Sequence, residues 1–109
     1  MSDQDAVRGK LQQLAGRFIK RTAEELVTLK GLIESARSGD ADSLAQLRHL
    51  AHRMHGTGAT LGFTDIGEQA GIIERLTDGR PCDFDGLATS AARIEELLRA
   101  AAAKNGVSL

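Results

Sequence analysis

Apolar residues recur along the chain at intervals of three and four, the period of a helix face, and no stretch alternates in twos. Leu11, Leu14, Ala15, Phe18 and Ile19 form a first stripe, and Leu26, Leu29, Leu32, Ile33 and Ala36 a second. Between them, Gly16 and the Lys20-Arg21-Thr22 stretch are the expected points for a bend or break. The Ser38-Gly39-Asp40 run stops the helix, and Asp40 or Asp42 caps the next one. From Asp42 to about Thr60, Leu44, Leu47, Ala51, Met54, Gly58 and Leu61 share one side. Beyond Gly62, a further stripe runs through Phe63, Ile66, Ala70, Ile73 and Leu76. Thr77 to Cys82 reads as a loop, with Asp78-Gly79 and Pro81 as turn residues. Asp83 caps the last helix, which carries Phe84, Leu87, Ala91, Ile94, Leu98 and Ala101 at heptad-like spacing. The tail from Lys104 to Leu109 is expected to fray.

These stripes predict an all-α fold. Long helices with short connections favour antiparallel neighbours, hence an up-down antiparallel four-helix bundle with an additional short N-terminal helical segment. The length fits a single domain over residues 1–109. If all the stripes are buried around one axis, the bundle is a monomer.

Composition narrows the function. The 14 Lys+Arg and 15 Asp+Glu give a net charge of −1, which excludes a general basic surface for nucleic acid. With three Phe and no Trp or Tyr, there is no platform for stacking bases. No run approaches the ~18 apolar residues of a membrane span, and the acidic start Met1-Ser2-Asp3-Gln4-Asp5 is not expected to be a signal peptide. The single cysteine, Cys82, allows no intramolecular disulfide and reads as an inert loop thiol. A cytoplasmic location is expected.

Candidate chemistry concentrates in one helix, which holds all three histidines at positions 49, 52 and 55. On a helical wheel His52 points roughly 140° away from the apolar side, so it is expected to be exposed. Its same-face neighbours are small: Ala45, Gly56 and Ala59. A helical glycine costs roughly 1 kcal/mol relative to alanine. Placed on an exposed surface beside an exposed histidine, it marks a spot that something must approach closely. Arg48 and His55 flank His52 on the wheel, and Arg53 is adjacent in sequence. Arginine donors suit phosphate, and a neutral imidazole is a competent nucleophile near neutral pH. Together these features describe a group that accepts a phosphoryl unit from a large partner.

The run Ala51-His52-Arg53-Met54-His55-Gly56-Thr57-Gly58-Ala59-Thr60-Leu61-Gly62-Phe63, followed by Ile66, Ala70, Ile73 and Glu74, resembles the signature of histidine phosphotransfer (HPt) domains of bacterial two-component phosphorelays. His52, Met54, Gly56, Thr57, Gly62, Ile66, Ile73 and Glu74 match that signature. The family's lysine at the third position after the histidine is His55 here. A histidine can replace it electrostatically only when protonated, or by donating one neutral hydrogen bond. His55, helped by Arg48, is therefore the expected stand-in.

The resemblance implies a phosphorelay step. His52 takes a phosphoryl group from a receiver-domain aspartate or a histidine kinase and passes it to a response regulator. His49, Arg53, Gly56 and Ala59 would join the docking surface. The expected partners are receiver domains and a sensor or hybrid histidine kinase, without nucleic acid or membrane. No cofactor or metal is expected on this chain, Mg²⁺ belonging to the partner receiver. The chain has no glycine-rich nucleotide loop and is not expected to be an enzyme with its own kinase activity. The alternatives are a chemotaxis-kinase-type phosphoacceptor module detached from its kinase, or a receiver-binding adaptor that is never phosphorylated. A metal-binding bundle is disfavoured, because di-iron bundles need Glu-x-x-His motifs projecting inward, and the residues three before the histidines are Gln46, His49 and His52.

Overall fold

The computed structural model describes residues 3–109. Among them are four helices and no strand: α1 (Asp3–Arg37), α2 (Ala41–Thr60), α3 (Thr64–Leu76) and α4 (Phe84–Asn105). Each helix packs on its two neighbours in a ring, α1 against α2 and α4, α3 against α2 and α4. The short connections make successive helices antiparallel. The contacts between α1 and α4 agree: Arg37 at the end of α1 reaches Asp85 and the Phe84 carbonyl at the start of α4.

The core holds Phe18, Ile19, Leu29, Leu47, Ile73, Leu87 and Ile94, together with the smaller Ala51, Ala70 and Ala91. Asp40 caps α2 by accepting from Asp42 N–H, and Asp83 caps α4 by accepting from Gly86 N–H. Gly62 turns the chain from α2 into α3 at φ 85°, a left-handed conformation that glycine adopts without a Cβ clash. It lets Phe63 N–H reach back to the Gly58 carbonyl at 2.8 Å. The Phe63 ring then stacks on Phe18, with centroids 4.4 Å apart.

Three expectations are corrected. First, α1 does not break at Gly16 or at Lys20-Arg21-Thr22 but runs unbroken for 35 residues. Thr22 is buried in the core while Lys20 and Arg21 face solvent, so tertiary packing holds that turn helical. The N-terminal portion is thus an extension of α1 and not a separate segment. A helix of that length is about 52 Å long and spans most of the 56 Å molecule. The first turns overhang the bundle, leaving Val7, Leu11 and Leu14 exposed. The burial of every stripe, from which a monomer was expected, therefore does not hold. Second, the tail does not simply fray. α4 runs to Asn105, Gly106 closes it at φ 66°, and Val107 N–H bonds the Ala102 carbonyl at 2.8 Å. This is the six-to-one bond of a glycine-terminated helix, and it folds Val107 onto the core. Third, Leu61 lies outside the α2 core stripe, as an exposed C-cap.

Among the described residues, no helix is long and apolar enough to cross a membrane.

Candidate functional site

The site is built on the contact between α2 and α3, which is made through glycines. A Cβ placed on Gly58 would lie 3.0 Å from both Cα and N of Gly67 and 3.1 Å from the Phe63 carbonyl oxygen. One placed on Gly67 would lie 3.1 Å from the His55 carbonyl oxygen. The two backbones therefore touch where side chains would hold them apart. This approach brings Glu74, on the last full turn of α3, within reach of the exposed face of α2.

His52 projects from that face with its side chain 72% exposed. Its Nδ1 lies 2.5 Å from Glu74 Oε2. A carboxylate only accepts, so Nδ1 carries the proton and donates. The lone pair of the neutral ring then sits on Nε2, on the opposite side of the ring from Glu74. Glu74 itself is largely covered, at 20% exposure, which restricts its rotamers and hence the aim of the imidazole. His55, one turn on, points Nδ1 at the other oxygen of the same carboxylate, 3.8 Å away. One glutamate thus lies between two imidazoles.

The surroundings of His52 are low and open. A Cβ on Gly56 would meet nothing within 4 Å, and Ala59 is exposed. Gly56 therefore answers no packing demand, and its bare backbone is available to whatever approaches His52. α2 nonetheless continues through Gly56 and Gly58 to Thr60, whose hydroxyl donates to the Gly56 carbonyl at 2.9 Å.

The expected cations are distributed differently from the wheel. Arg48 does reach across α3, but to Asp78 in the following loop, at 3.4 Å. Arg53 turns the other way, towards Glu25 of α1 at 3.9 Å. Neither is held at the His52 ring. Both pairs are exposed on the arginine side, and such surface pairs contribute only about 0–1 kcal/mol, so neither arm is firmly held where it lies. His49 and Arg53 line a groove of about 440 Å³ between α1 and α2, floored by Leu32 and Leu50. The structure thus brings His52 and His55 together on Glu74, with Gly56 and Ala59 beside them, and leaves Arg48, His49 and Arg53 at the margins.

Sequence reasoning placed Glu74 in the motif without giving it a task. It missed Gly67 and Gly71 altogether. Gly58, Gly67 and Gly71 are small residues on the faces by which α2 and α3 meet, and that was the available signal. Cys82 does sit in its loop, half-buried with Sγ 3.7 Å from the Leu76 carbonyl, and burial pushes its thiol pKa up, as befits an unreactive thiol. Among the described residues no group of three or more His, Cys, Asp or Glu is arranged to hold a metal ion.

Searches of curated proteins and of solved structures return no match. The Hpt domain family model matches residues 13–104, which covers the whole bundle short of the α1 overhang and the tail, and the chain belongs to that family.

Proposed function

We propose that this protein is a phosphorelay intermediate whose phosphoacceptor is His52. Hpt domains are phosphotransfer modules without kinase activity of their own. The observation that carries the assignment of the residue is the tethered ring: Nδ1 bound to Glu74, Nε2 free, and an open surface at Gly56.

Transfer begins when a receiver domain carrying an aspartyl phosphate docks over the α2 face. The Nε2 lone pair of His52 attacks phosphorus opposite the aspartyl oxygen. The N–P bond forms, the P–O bond breaks, and the aspartate leaves as a carboxylate. The proton on Nδ1 stays in place, so the positive charge that develops on the ring is met by Glu74. Phosphoryl transfer is mainly positioning and electrostatics, and the bundle supplies both by fixing the ring before the receiver arrives. The reverse step passes the group to another receiver. His55 and Arg48 assist the phosphoryl oxygens, with Arg48 exchanging Asp78 for them. His49, Arg53, Gly56 and Ala59 form the docking surface, and the apolar groove floor at Leu32 and Leu50 extends it. The chain works as one domain, 1–109, in the cytoplasm, and Mg²⁺ comes with the receiver.

The test is transfer from a panel of phosphorylated receiver domains to wild type, His52→Gln, His49→Gln and His55→Gln. Acid-labile, alkali-stable label that disappears only in His52→Gln is the expected result. Label retained by His52→Gln overturns the assignment. Receiver binding without label in any variant would establish an adaptor instead.

A further inference from the structure

Gly71 is buried on α3 one turn before Glu74, and its missing side chain is occupied by His55. A Cβ there would lie 2.9 Å from His55 Nδ1, 3.0 Å from Cε1 and 3.5 Å from Cγ. The ring therefore lies flat on bare backbone, and in that position its Nδ1 faces Glu74 Oε1. Any side chain at position 71 displaces the ring.

We propose that Gly71 is a positioning residue for phosphoryl transfer: it holds His55 against Glu74 so that the two imidazoles share one carboxylate and present their Nε2 atoms side by side. This rests on His52 as the acceptor. The chemistry follows from the ring itself. Protonated histidine has an N–H on each side. With Nδ1–H directed at Glu74, Nε2–H is left for an oxygen of the phosphoryl group on the neighbouring ring. Residues three apart on a helix are neighbours on its surface, so His55 is one turn from the reacting nitrogen. The group that the family supplies on a long lysine arm is here a short, flat ring. Such a ring must be set by what lies beneath it, and Gly71 is what lies beneath it.

The prediction separates this role from a structural one. Glycine to alanine in a helix interior is stabilising when space allows. At Gly71 the three nearest atoms all belong to a half-exposed side chain that can swing away. Gly71→Ala should therefore melt at or above the wild-type temperature, yet transfer about 3- to 10-fold more slowly, the factor that one lost hydrogen bond is worth. In a His55→Ala background the same change should alter transfer less than about twofold, since there is no ring left to displace. The ¹⁵N resonances of the His55 ring, read on unphosphorylated protein, should shift in Gly71→Ala. Equal slowing in both backgrounds, wild-type transfer in Gly71→Ala, or unshifted His55 resonances would each overturn the proposal. The resonance measurement needs no phosphoryl donor, so it decides how the ring is held even if His52 proves not to be the acceptor. Label lost in His52→Gln but unchanged in Gly71→Ala would overturn this inference and leave the acceptor assignment standing.

Discussion

Two glycines, half a turn apart on α2, should respond to the same substitution in opposite directions. At Gly56 an added Cβ meets nothing within 4 Å. Gly56→Ala therefore gains the helix propensity difference, about 1 kcal/mol, with no opposing contact. At Gly58 the added Cβ falls 3.0 Å from two backbone atoms of Gly67 and 3.1 Å from a third backbone atom, the Phe63 oxygen. No rotamer change relieves a clash with backbone, so α2 and α3 must separate. Overpacking costs about 1–3 kcal/mol, and the rigid neighbours put Gly58→Ala at the upper end. Set against the propensity gain of about 1 kcal/mol, the net is a loss of about 2 kcal/mol. The two variants should differ by about 3 kcal/mol, which for a domain of this size is more than 10 °C in Tm. Thermal melts followed by circular dichroism measure it directly. If Gly58→Ala is as stable as Gly56→Ala, the backbone contact between α2 and α3 is not there, and the route by which Glu74 reaches His52 falls with it. Transfer assays add a second arm. Gly56→Ala should be the more stable protein and the slower one, because its methyl group stands where the receiver must come close. A Gly56→Ala variant that is stabilised and transfers at the wild-type rate would refute the reading of that surface as kept bare for a partner.

Glu74→Gln keeps shape but lets the amide donate as well as accept, so Nδ1 is no longer bound to protonate. Transfer should slow about 5- to 10-fold, one charge-assisted hydrogen bond discounted for an exposed ring, and a wild-type rate in quench-flow would contradict it. His55→Lys carries a permanent charge, whereas histidine changes charge between about pH 5 and 8. The ratio of variant to wild-type transfer should rise as pH goes from 6 to 8, and a flat ratio would show that His55 acts without its charge. Hydrogen bonds from the Ser43 side chain to Asp40, and from the Lys30 and Arg99 side chains to Glu95, hold both carboxyls below their usual range. Groups with lowered folded-state values stabilise the fold above their unfolded values and lose that contribution as pH falls. The urea midpoint should thus decline below about pH 4, and less so in a Ser43→Ala, Lys30→Ala double variant. Residues 3–12 are exposed throughout, so a truncation that starts the chain at Gln13 removes no buried side chain among them. It should change stability by no more than about 0.5 kcal/mol, as measured by urea unfolding, and a larger loss would mean that the overhang packs on the bundle.

What the sequence could reveal divides along the reach of a helical wheel. Stripes of Leu, Ile and Ala report which side of each helix is buried, because burial is decided by that helix's own periodicity. Leu47, Ala51, Met54, Ile73, Leu87, Ile94 and Leu98 accordingly lie where the pattern put them. The cap residues Asp40 and Asp83 are equally local, each acting on an N–H within three residues. The overhang was misread because periodicity continues past the point where there is anything to pack against. Val7, Leu11 and Leu14 prolong the spacing of Phe18 yet stay exposed, Leu11 and Leu14 facing the ends of α2 and α4 at Thr60, Leu61 and Asn105 across an open concavity. The same holds for the break expected at Lys20-Arg21-Thr22, where propensity was outweighed by neighbours the sequence does not name.

The site shows the same division more sharply. Exposure of His52 and the emptiness around Gly56 are properties of one helix, and the wheel finds them. The partner that gives His52 its tautomer and its aim lies on another helix, 22 residues away. Whether Glu74 or some other polar residue of α3 meets the ring depends on the rotation of α3 about its own axis. That rotation is set by Gly58 against Gly67 and by His55 over Gly71, contacts defined by side chains that are absent. Glycine inside a helix reads in sequence as a weakness. Here three glycines between α2 and α3 are the means by which two imidazoles and a carboxylate are brought together. The position that looks least informative in the sequence therefore carries much of the geometry on which the proposed transfer depends.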